Sequence, residues 1–163
     1  MGKIMRILGI DPGIARCGWG VLEARGSKLE ARGFGCIETP SSMDVSLRLA
    51  SIYKEISKLI KQYSPEEMAV EELFFNTNAK TAFVVGQARG VVLLAGAEHK
   101  LKNYIYTPLQ VKIAVTGYGR AEKNQVGKMV QTILKLNKIP KPDDTTDALA
   151  IAITHAFSAR LER

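Results

Sequence analysis

Apolar and polar positions follow several rhythms along this chain, and each change of rhythm marks an element. Ile7, Leu8 and Ile10 make a short apolar run, the pattern of a strand buried on both faces. Pro12-Gly13 ends it, because proline cannot continue a ladder and Pro-Gly is a turn signal. Residues 17–22 and 29–37 are strand-like around a turn near Arg25-Gly26-Ser27, which predicts an antiparallel meander with the first strand. From Val45 to Tyr63 the period lengthens: Leu49, Ile52, Tyr53, Ile56, Leu59 and Ile60 recur as a helical stripe with Lys and Glu between, closed by Pro65. Residues 68–73 read as a short strand, and 79–97 as a helix that carries Gly86, Gly90 and Gly96. Glycine costs about 1 kcal/mol in a helix interior, so Gly86 and Gly90, one turn apart, are read as permitting close packing. Residues 103–106 form a last strand. Residues 109–115, 122–136 and 145–159 are helical, separated by Gly117-Tyr118-Gly119 and the Pro140-Lys141-Pro142 breaker. In outline the order is βββ-α-β-α-β-α-α. That predicts an α/β fold around a mixed sheet, as a single domain over residues 1–163.

Composition adds a partner to this picture. With 163 residues, 46% of them hydrophobic, the chain can bury a sizeable core. Lysine and arginine number 23 against 16 acids, a net charge of +7 that points to a polyanion, nucleic acid by default. No apolar run is long enough to span a bilayer and no signal peptide is recognised, so a reducing cytoplasm and no membrane association are expected. A hairpin centred on Gly26 sets Cys36 opposite Arg16, which leaves Cys17 and Cys36 on opposite faces and predicts no disulfide. His99 and His155 match no zinc spacing.

The candidate chemistry is carboxylate chemistry. Asp11 ends the first strand, at a rigid rim. Glu71-Glu72 lies near the end of the fourth, where alternation allows only one of the pair to face the Asp11 side. Val70 and Glu72 share a face, so a core-directed Val70 selects Glu71. Asp143-Asp144-Thr145-Thr146-Asp147 opens the last helix; capping and the helix dipole account for one or two acids there, not for three. Asp144 and Asp147, three residues apart, are neighbours on one helical face and repel unless a cation or a raised pKa compensates. Asp11, Glu71, Asp144 and Asp147 thus form an oxygen-only set suited to Mg²⁺ or Mn²⁺. Two such ions can activate water and stabilise the leaving oxygen in phosphodiester cleavage. A basic protein carrying that set reads as a nuclease. Lys123 opens a helix after Gly119-Arg120, where a cation could stabilise developing phosphate charge.

Five segments carry a resemblance in the right order: Ile7-Leu8-Gly9-Ile10-Asp11-Pro12-Gly13, Ala69-Val70-Glu71, Gly86-Gln87-Ala88-Arg89-Gly90, Ala121-Glu122-Lys123-Asn124-Gln125-Val126, and the helix from Asp147 through His155. Together they resemble the RuvC Holliday-junction resolvases of bacteria. The resemblance implies an RNase H-like fold with a mixed five-stranded sheet and a homodimer. It also implies Mg²⁺-dependent, paired nicking of opposed strands at four-way DNA junctions during recombination and repair. The family's four catalytic, metal-binding carboxylates fall on Asp11, Glu71, Asp144 and Asp147, with two ions per site and Mn²⁺ able to substitute. Asp143 is an extra neighbour; spacing to Asp147 favours Asp144. Lys112 and Lys123 match basic positions near the scissile phosphate. Phe74 matches an aromatic that stacks on unpaired bases at the crossover, against core packing as the plainer reading. The family further implies the RuvA–RuvB branch-migration complex as a partner.

Three rival readings fit parts of the sequence. Gly9-Ile10-Asp11-Pro12-Gly13 followed by Gly18 and Gly20 also resembles the first phosphate loop of actin-like ATPases and sugar kinases, which need two such domains. A non-catalytic nucleic-acid-binding module explains the charge but not the clustered acids. The YqgF-like nucleases share the fold and act on RNA; the Phe74 segment and Ala121–Val126 favour the RuvC resemblance.

Overall fold

β1 (Ile4–Asp11) is the middle strand of a five-stranded sheet of order β3-β2-β1-β4-β5, in a computed structural model that describes residues 2–72 and 79–161. Its apolar run is buried on both faces as expected. Ile7 packs into the core on one side and Leu8 and Ile10 into the core on the other, all three at 0% exposure. Burying each such side chain stabilises by about 1.5–3 kcal/mol. β2 (Arg16–Arg25) and β3 (Lys28–Glu38) complete the antiparallel meander, while β4 (Glu67–Glu71) runs parallel to β1 and β5 (Lys102–Tyr106) parallel to β4. On the Leu8/Ile10 face lie α1 (Val45–Tyr63), closed by left-handed Ser64, and α2 (Ala79–Glu98). On the Ile7 face lie α3 (Pro108–Thr116), α4 (Lys123–Leu134) and α5 (Asp143–Leu161).

Three helices therefore follow β5, at the three segments expected, although the βββ-α-β-α-β-α-α outline counts only two there. α3 is short, yet it has its own start signals: Pro108 in its first turn, and a capping box between Thr107 and Gln110. α4 stops earlier than the expected 122–136, because Lys135 turns left-handed and donates its N–H back to Gln131 and Thr132. α5 begins two residues earlier than expected, placing Asp143 and Asp144 inside its first turn.

The hairpin register also differs. The turn is Gly26-Ser27, with Arg25 opposite Lys28, and Arg32 is an extra residue between the pairs Leu22–Ala31 and Val21–Gly33. This bulge sets Cys36 opposite Gly18, not Arg16, and Cys17 opposite Ile37. Both thiols are free, and burial pushes them up to about 12 at Cys17 and about 11 at Cys36, so neither is a poised nucleophile. The Arg32 side chain grips Glu23 through Nη2 (2.9 Å) and Nε (3.2 Å).

α5 comes close to the sheet at three glycines, where no side chain stands between strand and helix. A Cβ on Gly9 would stand 2.3 Å from the Ala148 carbonyl oxygen, one on Gly20 2.5 Å from Leu149, and one on Gly18 1.9 Å from the Asp144 carbonyl oxygen. Two turns beyond Asp147, buried His155 bridges the Tyr106 hydroxyl (2.7 Å from Nδ1) and Glu67 Oε2 (2.5 Å from Nε2), fastening α5 to β5 and β4. Among the described residues no helix is long and apolar enough to cross a membrane.

Candidate active site

The odd-numbered residues of β1 face α5, so Asp11, last in the strand, reaches the α5 side at the sheet's end. The parallel register pairs Ile10 with Val70, which puts Glu71 beside Asp11 at the same end. Val70 is buried in the opposite core and Ala69 on the α5 side, so alternation selects Glu71 over Glu72 as expected. α5 supplies Asp144 and Asp147 from its first two turns, held down by the bare backbone of Gly18. Lys123 is the first residue of α4, and its Nζ lies 3.3 Å from Asp147 Oδ2 and 3.7 Å from Asp143 Oδ2. Lys112 of α3 and Lys123 line one groove of about 230 Å³ with Asp147.

The electrostatics follow from crowding in a half-buried place. Burial, then the charges of Glu71, Asp147 and Asp144, push Asp11 up from 3.8 to about 9; it keeps its proton at neutral pH and donates to Glu71. Burial and Asp147 also raise Glu71, against the opposing pull of the Asp11 hydrogen bond, Lys123 and Lys112. Burial raises Asp147 despite Lys123. Burial alone would lower Lys123, but Asp147, Asp143 and Asp11 outweigh it and hold the ammonium above its ordinary value.

Asp11, Glu71, Asp144, Asp147, Lys123 and Lys112 thus come together at one end of the sheet. Phe74 lies outside the described residues. Among the described residues no three His, Cys, Asp or Glu side chains already surround one point as a cation requires; a shared proton and Lys123 hold the carboxylates instead. The donor set itself fits a hard divalent cation. It is all oxygen, and burial together with the mutual repulsion of the carboxylates raises these pKa values. One feature was not legible in the sequence. Asp143 holds two lysines, with Oδ2 toward Lys123 and Oδ1 2.9 Å from Lys141 Nζ, though Lys141 reads only as part of a proline breaker. The available signal was a lysine ahead of a helix N-terminus, where the dipole disfavours a cation.

The family model described as crossover junction endodeoxyribonuclease RuvC matches residues 7–155. Among similar proteins, the crossover junction endodeoxyribonuclease RuvC of Halothermothrix orenii is 55% identical over 98% of this chain and 96% of its own. That of Clostridioides difficile is 54% identical over 98% and 94%. The structure of Thermus thermophilus RuvC in complex with a Holliday junction substrate superposes with a TM-score of 0.93, at 40% identity, over 97% of this chain and 96% of that one.

Proposed function

The chain belongs to the RuvC family of crossover junction endodeoxyribonucleases, and from that premise we propose that it resolves four-way DNA junctions by paired, Mg²⁺-dependent nicks in opposed strands. The observation that carries this reading is the convergence of Asp11, Glu71, Asp144 and Asp147 beside Lys123 in a basic protein. In this reading those four carboxylates hold the ions, and Mn²⁺ can substitute. Bound cations would lower the pKa of a water and stabilise the leaving oxygen. Glu71 and Asp11 must give up the proton they share before both can act as ligands. Lys123 is placed to leave Asp147 and meet the scissile phosphate, and Lys112 to hold the strand along the adjoining groove. The family match over residues 7–155 speaks against the two-domain kinases and the RNA-directed relatives, and the acid cluster against a purely binding role.

The test is a synthetic mobile junction incubated with Mg²⁺ or with EDTA, with the nicks mapped. Symmetric paired nicks with Mg²⁺ and none with EDTA are expected. Cleavage of single-stranded RNA in place of the junction, or cutting that survives EDTA, would overturn the reading.

A two-fold symmetric substrate that is cut twice calls for two equivalent sites, hence a C2 dimer. Its support here is the outer face of α2, where Phe83 is 70% and Leu94 52% exposed, with Gly86 and Gly90 between them on the same side. Among the described residues nothing comes within 4 Å of a Cβ at either glycine, which leaves this face open to a neighbour. Phe83→Asp is expected to give a monomer by light scattering and to lose paired cutting. A wild-type chain that is monomeric at micromolar concentration with full resolving activity would refute the dimer. Action in the bacterial cytoplasm alongside a RuvA–RuvB branch-migration complex completes the proposal, as one RNase H-like domain over residues 1–163.

A further inference from the structure

Beside the acid cluster, on the side of Lys123 away from Lys112, lies a second groove of about 250 Å³ between Lys123, Asn124, Ile139, Lys141, Thr146 and Asp147. Lys123 lines both grooves, so Lys112, Lys123 and Lys141 follow one another across the site. The far wall is built rather than loose. The Thr146 hydroxyl donates to the Pro140 carbonyl at 2.7 Å, and the Thr145 N–H donates to the Pro142 carbonyl at 3.0 Å, pinning the backbone on both sides of Lys141 to α5. Ile139 packs closely on Gly127 of α4, where a Cβ would stand 3.3 Å from Ile139 Cγ2.

Stability does not account for a lysine here. It precedes the N-terminus of α5, where the dipole favours anions, and its exposed pair with Asp143 is of a kind that contributes little. Asp143, meanwhile, joins Lys141 to Lys123 through its two oxygens, at 2.9 and 3.7 Å. Each ammonium has three donors, so neither the hydrogen bond of Lys141 to Asp143 nor the ion pairs of Lys123 with Asp143 and Asp147 use them all, and both lysines can take a further anion in the groove.

We propose that Lys141 binds a DNA phosphodiester flanking the scissile one, and that Asp143 is a positioning residue that brackets Lys141 and Lys123 on either side of this groove. Asp143 then serves the strand, not the metal. The inference rests on the junction-cleaving reading and extends the phosphate track by one contact beyond Lys123.

The experiment measures junction affinity in EDTA across a range of salt, and cleavage of saturated junction across a range of Mg²⁺, for wild type, Lys141→Gln, Lys141→Arg, Asp143→Asn and the Asp143→Asn/Lys141→Gln double variant. Lys141→Gln is expected to weaken binding several-fold and to make the log–log salt slope shallower by about 0.9, as for one lost phosphate contact. Cleavage of the bound junction and its Mg²⁺ midpoint should stay within about twofold of wild type. Lys141→Arg should restore both affinity and slope. In the Asp143→Asn background, Lys141→Gln should have little further effect, because the bracket is already gone. An unchanged affinity and slope for Lys141→Gln would overturn the contact. Equal effects of Lys141→Gln in both backgrounds, or a raised Mg²⁺ midpoint for Asp143→Asn, would overturn the positioning role. A wild-type chain that neither binds nor cuts junctions would refute the function itself, a result no variant can mimic.

Discussion

Asp11→Asn is expected to abolish junction cutting while raising the melting temperature of the metal-free protein. The loss of cutting should be at least about a thousandfold, roughly 4 kcal/mol of transition-state stabilisation, because the variant removes a charged oxygen from the proposed ion site. The gain in stability comes from the sign of the pKa shift. The folded state holds the Asp11 proton up to about pH 9, whereas the unfolded chain releases it near 3.8. Between those values the folded state binds the extra proton, so wild-type stability falls as pH rises through the window. Asparagine does not titrate and keeps a donor for Glu71. The two proteins should melt alike below about pH 4, and the variant should lead increasingly toward pH 9, by on the order of 4 kcal/mol at neutral pH. Mg²⁺ should stabilise the wild type, more strongly as pH rises, and do little for the variant. Thermal melts at pH 5, 7 and 9, with EDTA and with Mg²⁺, read all of this at once. A variant that melts lower at every pH would make Asp11 a structural residue, and one that still cuts with Mg²⁺ would remove it from the site. Glu71→Gln, Asp144→Asn and Asp147→Asn should likewise stop cutting but spare junction binding, which depends on lysine and arginine contacts to phosphate.

The second large effect needs no charge. Gly18→Ala puts a methyl group 1.9 Å from the Asp144 carbonyl oxygen and 3.0 Å from the Thr145 amide nitrogen, both main-chain atoms that cannot swing away. Either β2 or the start of α5 must retreat, at a cost of about 1–3 kcal/mol or more. The retreat carries Asp144 and Asp147 away from Asp11, and a misplacement of about 1 Å can cost on the order of a hundredfold in rate. Cutting should therefore fall much further than the lost stability explains, with the protein still folded at 25 °C by circular dichroism. Gly18→Ala cutting at the wild-type rate would show that α5 does not need this close approach.

How much of this was legible depended on whether the signal was local. Asp11 and Glu71 could be placed because a strand alternates and a buried strand announces itself; the choice of Glu71 needed only the parity of Val70. α1 could be bounded to the residue, since its apolar stripe is one-sided and Pro65 follows at once. The β2–β3 register was not legible, because the extra residue Arg32 leaves no mark in an alternating pattern that still looks regular. Gly9, Gly18 and Gly20 gave no hint of carrying α5, since that contact spans more than a hundred residues. The Asp143 bridge was missed for the same reason: its partners come from α4 and from a loop that reads as a breaker.

The Arg32 bulge has a chemical consequence as well as a geometric one. Without it, the register that pairs Arg25 with Lys28 and Leu22 with Ala31 would run on and set Cys17 directly opposite Cys36. The two thiols would then share a face, at the cross-strand separation of about 4.5–5.5 Å between Cβ atoms that invites oxidation. Cys17 adjoins Gly18 in β2, and on Gly18 the start of α5 rests, so a bond there would distort the seat of Asp144. One surplus arginine, clamped by Glu23 and Glu30, keeps the two thiols out of phase and so out of reach of a disulfide.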